Sequence, residues 1–392
     1  GTIAGTPAAE ASATTHTITA SNEDGQTQDT VDITVGAALP AAFLSLEQGF
    51  VAEVVLEPGA PSPAKIAKFA VAPTNDDRIF YLETDTGNVR VLHPDQGLLP
   101  TPFVTLNVLQ GGHHGLLGLA LAPDFAVSGH VYVQACIPGD VQEQTQDRMQ
   151  VLRYTDANSV GTNETIVLDD LPIAPPGGVN NGGELVFAND GTLYVSLGDV
   201  QDSNNSQVDA GTSLAGKVLR YDVSSGSGVP AAGNPLAGSP EWCRGLRNTF
   251  GLAVHPTTGG LFGVDNGPAA DDELNYLQPG KNFGWGGTPP PAQAGYTIET
   301  WQTVIVPTAV CWHDGTTWGN AYANDLFLCA YDDHKIQRFQ MSGGSFTDVD
   351  DQEDFAEFRL IASDNHPLDL CMAPDGSLYV STFSGIYRIT KQ

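Results

Sequence analysis

Short runs of alternating apolar and polar residues recur along most of the chain, separated by turns rich in glycine, proline and aspartate. The period of two is typical of β-strands that bury one face. One unit consists of an apolar strand, a turn, a second strand, a small-residue turn and a third strand. It first occurs at residues 69–73, 78–82 and 89–92, and later copies begin near residues 119, 185, 252, 310 and 370.

These copies, spaced by roughly 40–70 residues, predict an all-β fold, a six-bladed β-propeller, because one small sheet cannot bury both of its faces alone. A ring of blades needs a closing strand. Residues 50–56 precede the first copy, and we expect them to form the outer strand of the last blade, which would cover free sheet edges. The acidic run at 348–357 is expected to be a solvated loop.

The N-terminal region has a different pattern, with strands predicted at 15–20 and 30–35 around a turn at 22–25. It resembles the last strands of bacterial Ig-like modules, which need roughly 90–100 residues and two sheets. Two interpretations stay open: upstream sequence is missing, or another chain completes the sheet by strand addition. Self-assembly or binding of another surface protein is therefore expected through this segment. The predicted organisation is 1–36 as the end of an Ig-like β-sandwich, 37–42 as linker and 43–392 as propeller.

The charge balance indicates which classes of partner the protein is not expected to bind. The chain has 46 acidic and 16 basic residues and a net charge of -30, which argues against nucleic acid and anionic membranes as partners. No apolar run approaches the ~20 residues of a membrane span. The sequence begins with Gly1, so we expect a processed or partial product of a bacterial secreted or cell-surface protein. Of its cysteines, Cys311 and Cys329 are candidates for a disulfide, and buried free thiols are the alternative.

Three motifs carry a resemblance to a known family: 115–125, 181–220 and 245–285. In order and spacing they resemble the soluble glucose/sorbosone dehydrogenases, over about residues 43–392. That family implies a six-bladed propeller that oxidises sugars with pyrroloquinoline quinone (PQQ). A calcium ion polarises the quinone, basic residues hold its carboxylates, and a histidine accepts the proton of the sugar.

The resemblance assigns several metal and cofactor positions in this chain. Gly267, Pro268 and Asp272 match the surroundings of the cofactor calcium, and Glu273 and the carbonyl of Phe283 match ligands of a second, structural calcium. Such hard oxygen ligands suit Ca²⁺, although an acidic turn in an acidic protein is the alternative. Arg247 and Asn248 match residues beside the cofactor; Arg247 could equally tie two blades together.

Other family positions are replaced. Asn180 stands where the histidine base is expected, and an amide has no basic lone pair for that role. His114 stands where the family has Gln or Glu, Asp332 where it has a cofactor-binding Lys, and His366 where it has an Arg. Residues 363–371 contain no Lys or Arg, and Lys335 and Arg338 are the bases left in the fifth copy. These replacements argue against PQQ binding, because a tricarboxylate would lack paired cations.

Two uses of the replaced positions stay open. His114, Asp332 and His366 could together bind a transition metal such as Zn or Fe, or they could line a wet channel. The favoured function is a non-catalytic, calcium-binding surface module for adhesion, extracellular assembly or glycan binding. The alternative is a divergent oxidoreductase that oxidises sugars with PQQ or another metal cofactor.

Overall fold

The computed structural model describes residues 11–22, 25–35, 39–56, 65–73, 76–140, 142, 144–313, 315, 317–359 and 365–392, with side chains from residue 39 onward. Six antiparallel sheets of four or five strands are arranged in chain order. The innermost strand of each sheet contacts that of the next, and the sixth contacts the first. The predicted six-bladed propeller is therefore confirmed.

The first three blades follow the predicted copies. Blade one contains Ile66–Val71, Ile79–Glu83, Asn88–His93, Gly97–Leu98 and Val104–Thr105. Blade two contains Leu116–Leu121, His130–Ile137, Arg148–Asp156 and Gly161–Leu171. Blade three contains Gly182–Phe187, Leu193–Leu197, Lys217–Asp222, Val229–Pro230 and Glu241–Arg244.

The other three blades complete the ring. Blade four contains Thr249–Val254, Leu261–Asp265, Asp272–Tyr276 and Tyr296–Trp301. Blade five contains Pro307–Trp312, Leu326–Ala330, Lys335–Ser342, Asp348–Phe358 and Phe43–Leu46. Blade six contains Asp369–Met372, Leu378–Ser381, Ile386–Lys391 and Phe50–Leu56. The helices are short: Phe125–Ser128 and Asn204–Gln207 are α-helical, and Pro291–Gln293 and Asn320–Tyr322 are 3₁₀.

The ring is closed by strands from both ends of the propeller sequence. Phe50–Leu56 pairs antiparallel with Ile386–Lys391, as predicted. The preceding strand, Phe43–Leu46, was not predicted and pairs with the outer edge of blade five. The chain thus covers the edges of two neighbouring blades with one continuous segment.

The expectation of a loop at 348–357 is wrong. Asp348–Phe358 is a strand that pairs with Lys335–Ser342 on one side and Phe43–Leu46 on the other. Its acidic half is largely exposed, whereas Phe355, Ala356 and Phe358 are buried. The rim of a blade tolerates carboxylates because their charges stay in water, so charge density is a poor sign of a loop here.

The N-terminal segment forms the predicted hairpin, in which Ala11–Asn22 pairs with Gly25–Val35. The predicted Ig-like sandwich and strand addition are not tested by this backbone and stay predictions. The linker at 37–42 lies partly outside the described residues. All five cysteines are free thiols; Cys311 and Cys329 lie on adjacent strands without a disulfide. No helix within the described ranges is long and apolar enough to cross a membrane.

Candidate functional site

The propeller axis contains two cavities, one above the other. The upper chamber has a volume of about 500 Å³ and lies where the innermost strands begin. Each blade contributes to its wall, through Ala67, Leu117, Val179, Phe250, Thr308 and Leu368. A cavity of this size, with apolar walls and a few polar groups, is typical of small-molecule sites.

The lower chamber has a volume of about 410 Å³ and lies toward the ends of the same strands. Its apolar wall also draws on every blade, through Phe69, Leu119, Leu185, Leu252, Val310 and Leu370. The thiols of Cys311 and Cys371 and the carboxylates of Glu184 and Asp369 belong to residues of its lining. Burial raises the pKa of both thiols far above the usual range, so neither is a ready nucleophile.

A buried ionic group, here called the Lys68 cluster, comprises Lys68, Glu184 and Asp369. The ammonium of Lys68 lies 2.7 Å from Glu184 Oε2 and 3.3 Å from Asp369 Oδ1. It also donates to the backbone carbonyls of Phe250 at 3.1 Å and Thr308 at 3.5 Å. Since Phe250 and Thr308 line the upper chamber and both carboxylates line the lower one, the cluster lies between the two chambers.

The Lys68 cluster links five of the six blades through one side chain. Burial acts to lower the pKa of Lys68, but the charges of Asp369 and Glu184 outweigh it and raise the pKa well above the usual range. Burial raises the pKa of Glu184, although Lys68 opposes that shift. One cation is shared by two carboxylates, so the cluster has one uncompensated negative charge when all three groups are ionised.

Asn180 lies near the upper chamber in a left-handed backbone conformation, with φ of 66°. Its side-chain Nδ2 donates to Asp199 Oδ1 at 3.0 Å, and the other oxygen of Asp199 accepts from Trp285 Nε1 at 2.8 Å. The amide is therefore held in place by a carboxylate, as a catalytic histidine would be. It still offers no lone pair that could accept a proton.

The adjacent histidines occupy different environments. His114 is buried, and its two ring nitrogens lie 2.7 Å from Gly111 O and 3.0 Å from Ala174 O, which ties the ring to the backbone. His113 also belongs to the lining of the upper chamber, as His114 does, and its Nδ1 accepts a 3.4 Å hydrogen bond from the backbone N–H of Asn180. His113, which sequence reasoning missed, is the histidine beside Asn180.

The family-equivalent Arg247 and Asn248 are positioned by blade four. Arg247 Nη1 donates to the carbonyls of Asn266 at 2.8 Å and Gly267 at 2.9 Å, and its guanidinium lies 5.6 Å from the centre of the Trp285 ring. Asn248 lines the upper chamber, and its Oδ1 accepts from Gly182 N at 3.0 Å. Both residues thus fix the chamber wall.

Two of the residues assigned to a cofactor calcium, Gly267 and Asp272, already accept hydrogen bonds from other groups of the protein. The Gly267 carbonyl faces the guanidinium of Arg247, and Pro268 is exposed in the following turn. Asp272 is buried and accepts backbone hydrogen bonds from Gly267 and from residues 305 and 306, at 2.8–2.9 Å. A cation here would have to displace the positive charge of Arg247, so these residues do not fit a cofactor calcium as they stand.

Glu273 fits a structural cation better. Burial, followed by Asp265 and Asp271, raises its pKa to about 7, with one opposing hydrogen bond, donated by Asn275 Nδ2 at 3.0 Å. A carboxylate with so little compensation would gain from a bound cation. The carbonyl of Phe283 is the second predicted ligand. The backbone N–H of Phe283 donates to Arg244 O, which fixes this segment against blade three.

Asp332 follows the second strand of blade five, and His366 precedes the first strand of blade six. His366 stacks on Tyr331 with ring centres 4.1 Å apart, and its Nδ1 lies 2.8 Å from Tyr331 O. Asp332 is exposed, two residues from His334, whose ring is 4.1 Å from that of His366. Within the described part of the chain, no three His, Cys, Asp or Glu side chains form a group that could hold a metal. His114, Asp332 and His366 are therefore not brought together as a metal site.

The cations of the chamber do not fit a tricarboxylate cofactor. Among the described lining residues, Lys65 is the single Lys or Arg. Lys335 pairs with Asp354 at 2.6 Å, and Arg338 is buried with Asp325 at 2.6 Å. Three carboxylates would face one wall cation and the already engaged Arg247, which would leave charge unpaired on desolvation.

Three residues that line the upper chamber carry a polar atom without a partner within the described structure: Thr84 Oγ1, Asn266 Oδ1 and Thr308 Oγ1. Thr308 is 4% exposed and Asn266 is 7% exposed. Buried polar atoms are nearly always hydrogen-bonded in native proteins. Each of these atoms has less than 1 Å² of accessible surface, so a ligand in the chamber would reach them only after their side chains rotate.

Comparisons with known proteins agree with this architecture. Residues 66–387 match the family model described as Glucose / Sorbosone dehydrogenase. The chain is 29% identical over 248 residues to quinoprotein glucose dehydrogenase B of Acinetobacter calcoaceticus, covering 57% of this chain and 50% of that protein. It is 27% identical over 342 residues to aldose sugar dehydrogenase YliI of Escherichia coli K12, covering 80% and 86%.

A solved structure gives the same result in three dimensions. The putative oxidoreductase (glucose dehydrogenase) of Thermus thermophilus superimposes with a TM-score of 0.71 at 28% identity. The superposition covers 87% of this chain and all of that one. Since the family model matches most of its length, the chain belongs to the glucose/sorbosone dehydrogenase family.

Proposed function

We propose that this chain is a carbohydrate-binding β-propeller of a bacterial secreted or cell-surface protein, which binds a polyhydroxylated ligand in the upper chamber without oxidising it. The observation that carries the proposal is the upper chamber itself, whose described lining residues Thr84, Asn266 and Thr308 each have an unpartnered side-chain oxygen just behind its wall. A hydroxyl and a carbonyl oxygen suit sugar hydroxyls, which both donate and accept. Aromatic residues of the wall, such as Phe250 and Phe383, supply apolar contact area.

The absence of turnover follows from Asn180. Alcohol oxidation by hydride transfer needs a group that removes the hydroxyl proton in the transition state, and such groups contribute about 10²–10⁴ in rate. The amide of Asn180 donates to Asp199 and cannot perform this step. The poor match between the chamber's cations and a tricarboxylate also argues against PQQ as a resident cofactor.

Calcium belongs to the proposal as a structural ion at Glu273. Its raised pKa supports a cation there, and the carbonyl of Phe283 is the second proposed ligand. Such an ion would stabilise blade four rather than take part in chemistry. Assembly through the N-terminal hairpin, with a second copy or another surface protein, is a further part of the proposal that rests on the sequence pattern.

The decisive experiment combines binding with turnover. Calorimetric titration with a panel of hexoses is expected to detect binding, and Thr308→Val is expected to weaken it about tenfold through the lost hydrogen bond. Cys311→Ala, in the lower chamber, is the matched control and leaves the affinity unchanged. With added Ca²⁺ and PQQ, no sugar-dependent dye reduction is expected. Dye reduction that disappears in Arg247→Ala would overturn the proposal.

A divergent sugar oxidoreductase is the second candidate. Arg247 and Asn248 remain in place at the upper chamber, with Arg247 held by two carbonyls and by the ring of Trp285. Preorganised polar groups of this kind are common in catalytic sites. The dye-reduction assay distinguishes the two candidates because a binding protein shows affinity without turnover.

A further inference from the structure

Lys65, at the rim of the upper chamber, has a positive charge that nearby acidic groups compensate only weakly. Lys65 Nζ lies 3.9 Å from Asp85 Oδ2, which is too long for a hydrogen bond, and the two side chains are 56% and 47% exposed. Nζ also lies 5.7 Å from the centre of the Phe383 ring. Within the described residues, this ammonium donates no hydrogen bond. It can therefore turn toward an anion in the chamber at little cost.

His113 adds a neutral hydrogen-bond donor to the same rim. Burial, then the charges of Arg247, His114 and Lys65, lowers its pKa, so the ring is neutral at pH 7. Its Nδ1 accepts from the Asn180 N–H, which places the ring proton on Nε2. Nε2 makes no hydrogen bond to any described residue. A ligand oxygen in the chamber can accept from it.

The charge of the rim contrasts with that of the whole protein. The chain has a net charge of -30, so most of its surface repels anions. At the upper chamber, Lys65 and the nearby Arg247 oppose the single lining carboxylate of the described wall, Asp85. One weakly paired cation and one N–H donor suit one carboxylate, whereas three carboxylates would be undercompensated.

We propose that the preferred ligand of the upper chamber is a sugar acid, a hexuronate whose carboxylate is bound by Lys65 and by Nε2–H of His113. This inference rests on the proposed function and specifies its ligand class. The hydroxyl groups of the sugar ring lie toward Thr308 and Asn266, whose unpartnered side-chain oxygens turn toward them by side-chain rotation, and the ring lies against the apolar wall. The binding requires no chemical step.

The experiment compares ligands that differ only at C6: glucose with glucuronate, and galactose with galacturonate. Calorimetric titrations of the full chain are made at low and high salt. At least one hexuronate is expected to bind about tenfold more tightly than its hexose, as expected for one charge-assisted hydrogen bond. The preference is expected to shrink at high salt, because the rim is exposed.

Three variants test which side chains cause the preference for hexuronate over hexose. Lys65→Gln is expected to abolish the hexuronate preference, and His113→Gln is expected to reduce it. Lys335→Gln, which removes a partly exposed lysine of blade five, is the matched control and keeps the preference. Lys65 is exposed, so its substitution spares the fold, which circular dichroism verifies.

The outcomes separate the two proposals. Equal affinity for hexose and hexuronate, or a preference that survives in Lys65→Gln, would overturn the assignment of a sugar acid and leave carbohydrate binding intact. No binding of any hexose or hexuronate would overturn the proposed function itself, and this inference with it.

Discussion

The two axial chambers have similar volumes and each draws on all six blades, but the polar atoms of their walls differ. In the lower chamber, both carboxylates have partners: Glu184 accepts from Lys68 and Leu185 N, and Asp369 accepts from Lys68 and Phe69 N. Trp312 Nε1 is the unpartnered polar atom of its described wall, whereas the upper chamber has three: Thr84 Oγ1, Asn266 Oδ1 and Thr308 Oγ1. Volume therefore does not distinguish the two chambers, whereas the number of unpartnered oxygens on their lining residues does.

The difference originates in Lys68. Its ammonium satisfies the carboxylates below it and two carbonyls at the base of the upper chamber. The atoms that hold the ring together are thus different from the atoms proposed to bind a ligand, even in Thr308, where the carbonyl serves the first role and the hydroxyl the second.

The largest predicted effect is on the free energy of unfolding and tests the role of Lys68 between the two chambers. Lys68→Met keeps the length of the side chain and leaves Glu184 and Asp369 buried without their cation, so we expect the free energy of unfolding to fall by about 3–5 kcal/mol. Lys335→Met, which removes a partly exposed pair with Asp354, is the control, with a loss of at most about 1 kcal/mol. Denaturant unfolding measures both. Equal losses would show that the axial position has no special role.

A second prediction uses the opposite pKa shifts of the chambers. Burial raises the pKa of Glu184, so its contribution to stability falls as pH rises above about 4.5. The pKa of His113 is lowered, so its contribution instead rises as pH passes 6.5. Relative to the wild type, Glu184→Gln should therefore gain about 1–3 kcal/mol between pH 5 and 8, while His113→Gln should lose stability over the same range.

The measurement is the unfolding free energy of each variant minus that of the wild type at each pH. This difference cancels the many other titrating groups. Burial disfavours the charged form of both groups, and the profiles differ in sign because one group is an acid and the other a base. Parallel profiles for the two variants would contradict this assignment.

The smallest predicted effect compares two buried threonines. Thr308 Oγ1 lacks a partner among the described residues, so Thr308→Val should change the free energy of unfolding by less than about 0.5 kcal/mol, or increase it. Thr249 is equally buried but donates to Asp265 Oδ1 at 2.9 Å, so Thr249→Val should cost about 1–3 kcal/mol. Thermal unfolding of both variants without ligand makes the comparison. A larger loss at Thr308 would mean that its hydroxyl serves the fold.

Much of the architecture could be predicted from the sequence because it depends on local periodicity. The alternation in each unit identified the inner three strands of every blade, and residues 50–56 identified the closing strand. The strand Asp348–Phe358 was missed because its exposed half is acidic, and Phe43–Leu46 because it is short. In both segments, pairing with neighbouring strands outweighed the structure that the local sequence pattern favours.

The candidate site was less predictable. Asn180 was singled out from the motif, but that His113 rather than His114 contacts it required the tertiary structure. Lys68 did leave a signal in the sequence, as a charged residue in the middle of the apolar strand Ile66–Val71. That signal identifies no partner, because Glu184 and Asp369 lie 116 and 301 residues away.

The sequence by itself determined the repeating strands, the number of blades and the acidic balance, since each can be read from neighbouring residues or from composition. Only the tertiary structure decided that a lysine from blade one lies between two carboxylates and separates two chambers, and which polar atoms in their described walls lack partners. The physical reason is that closure of the ring brings the middle of every inner strand to one axis, where side chains distant in sequence share the same desolvated space.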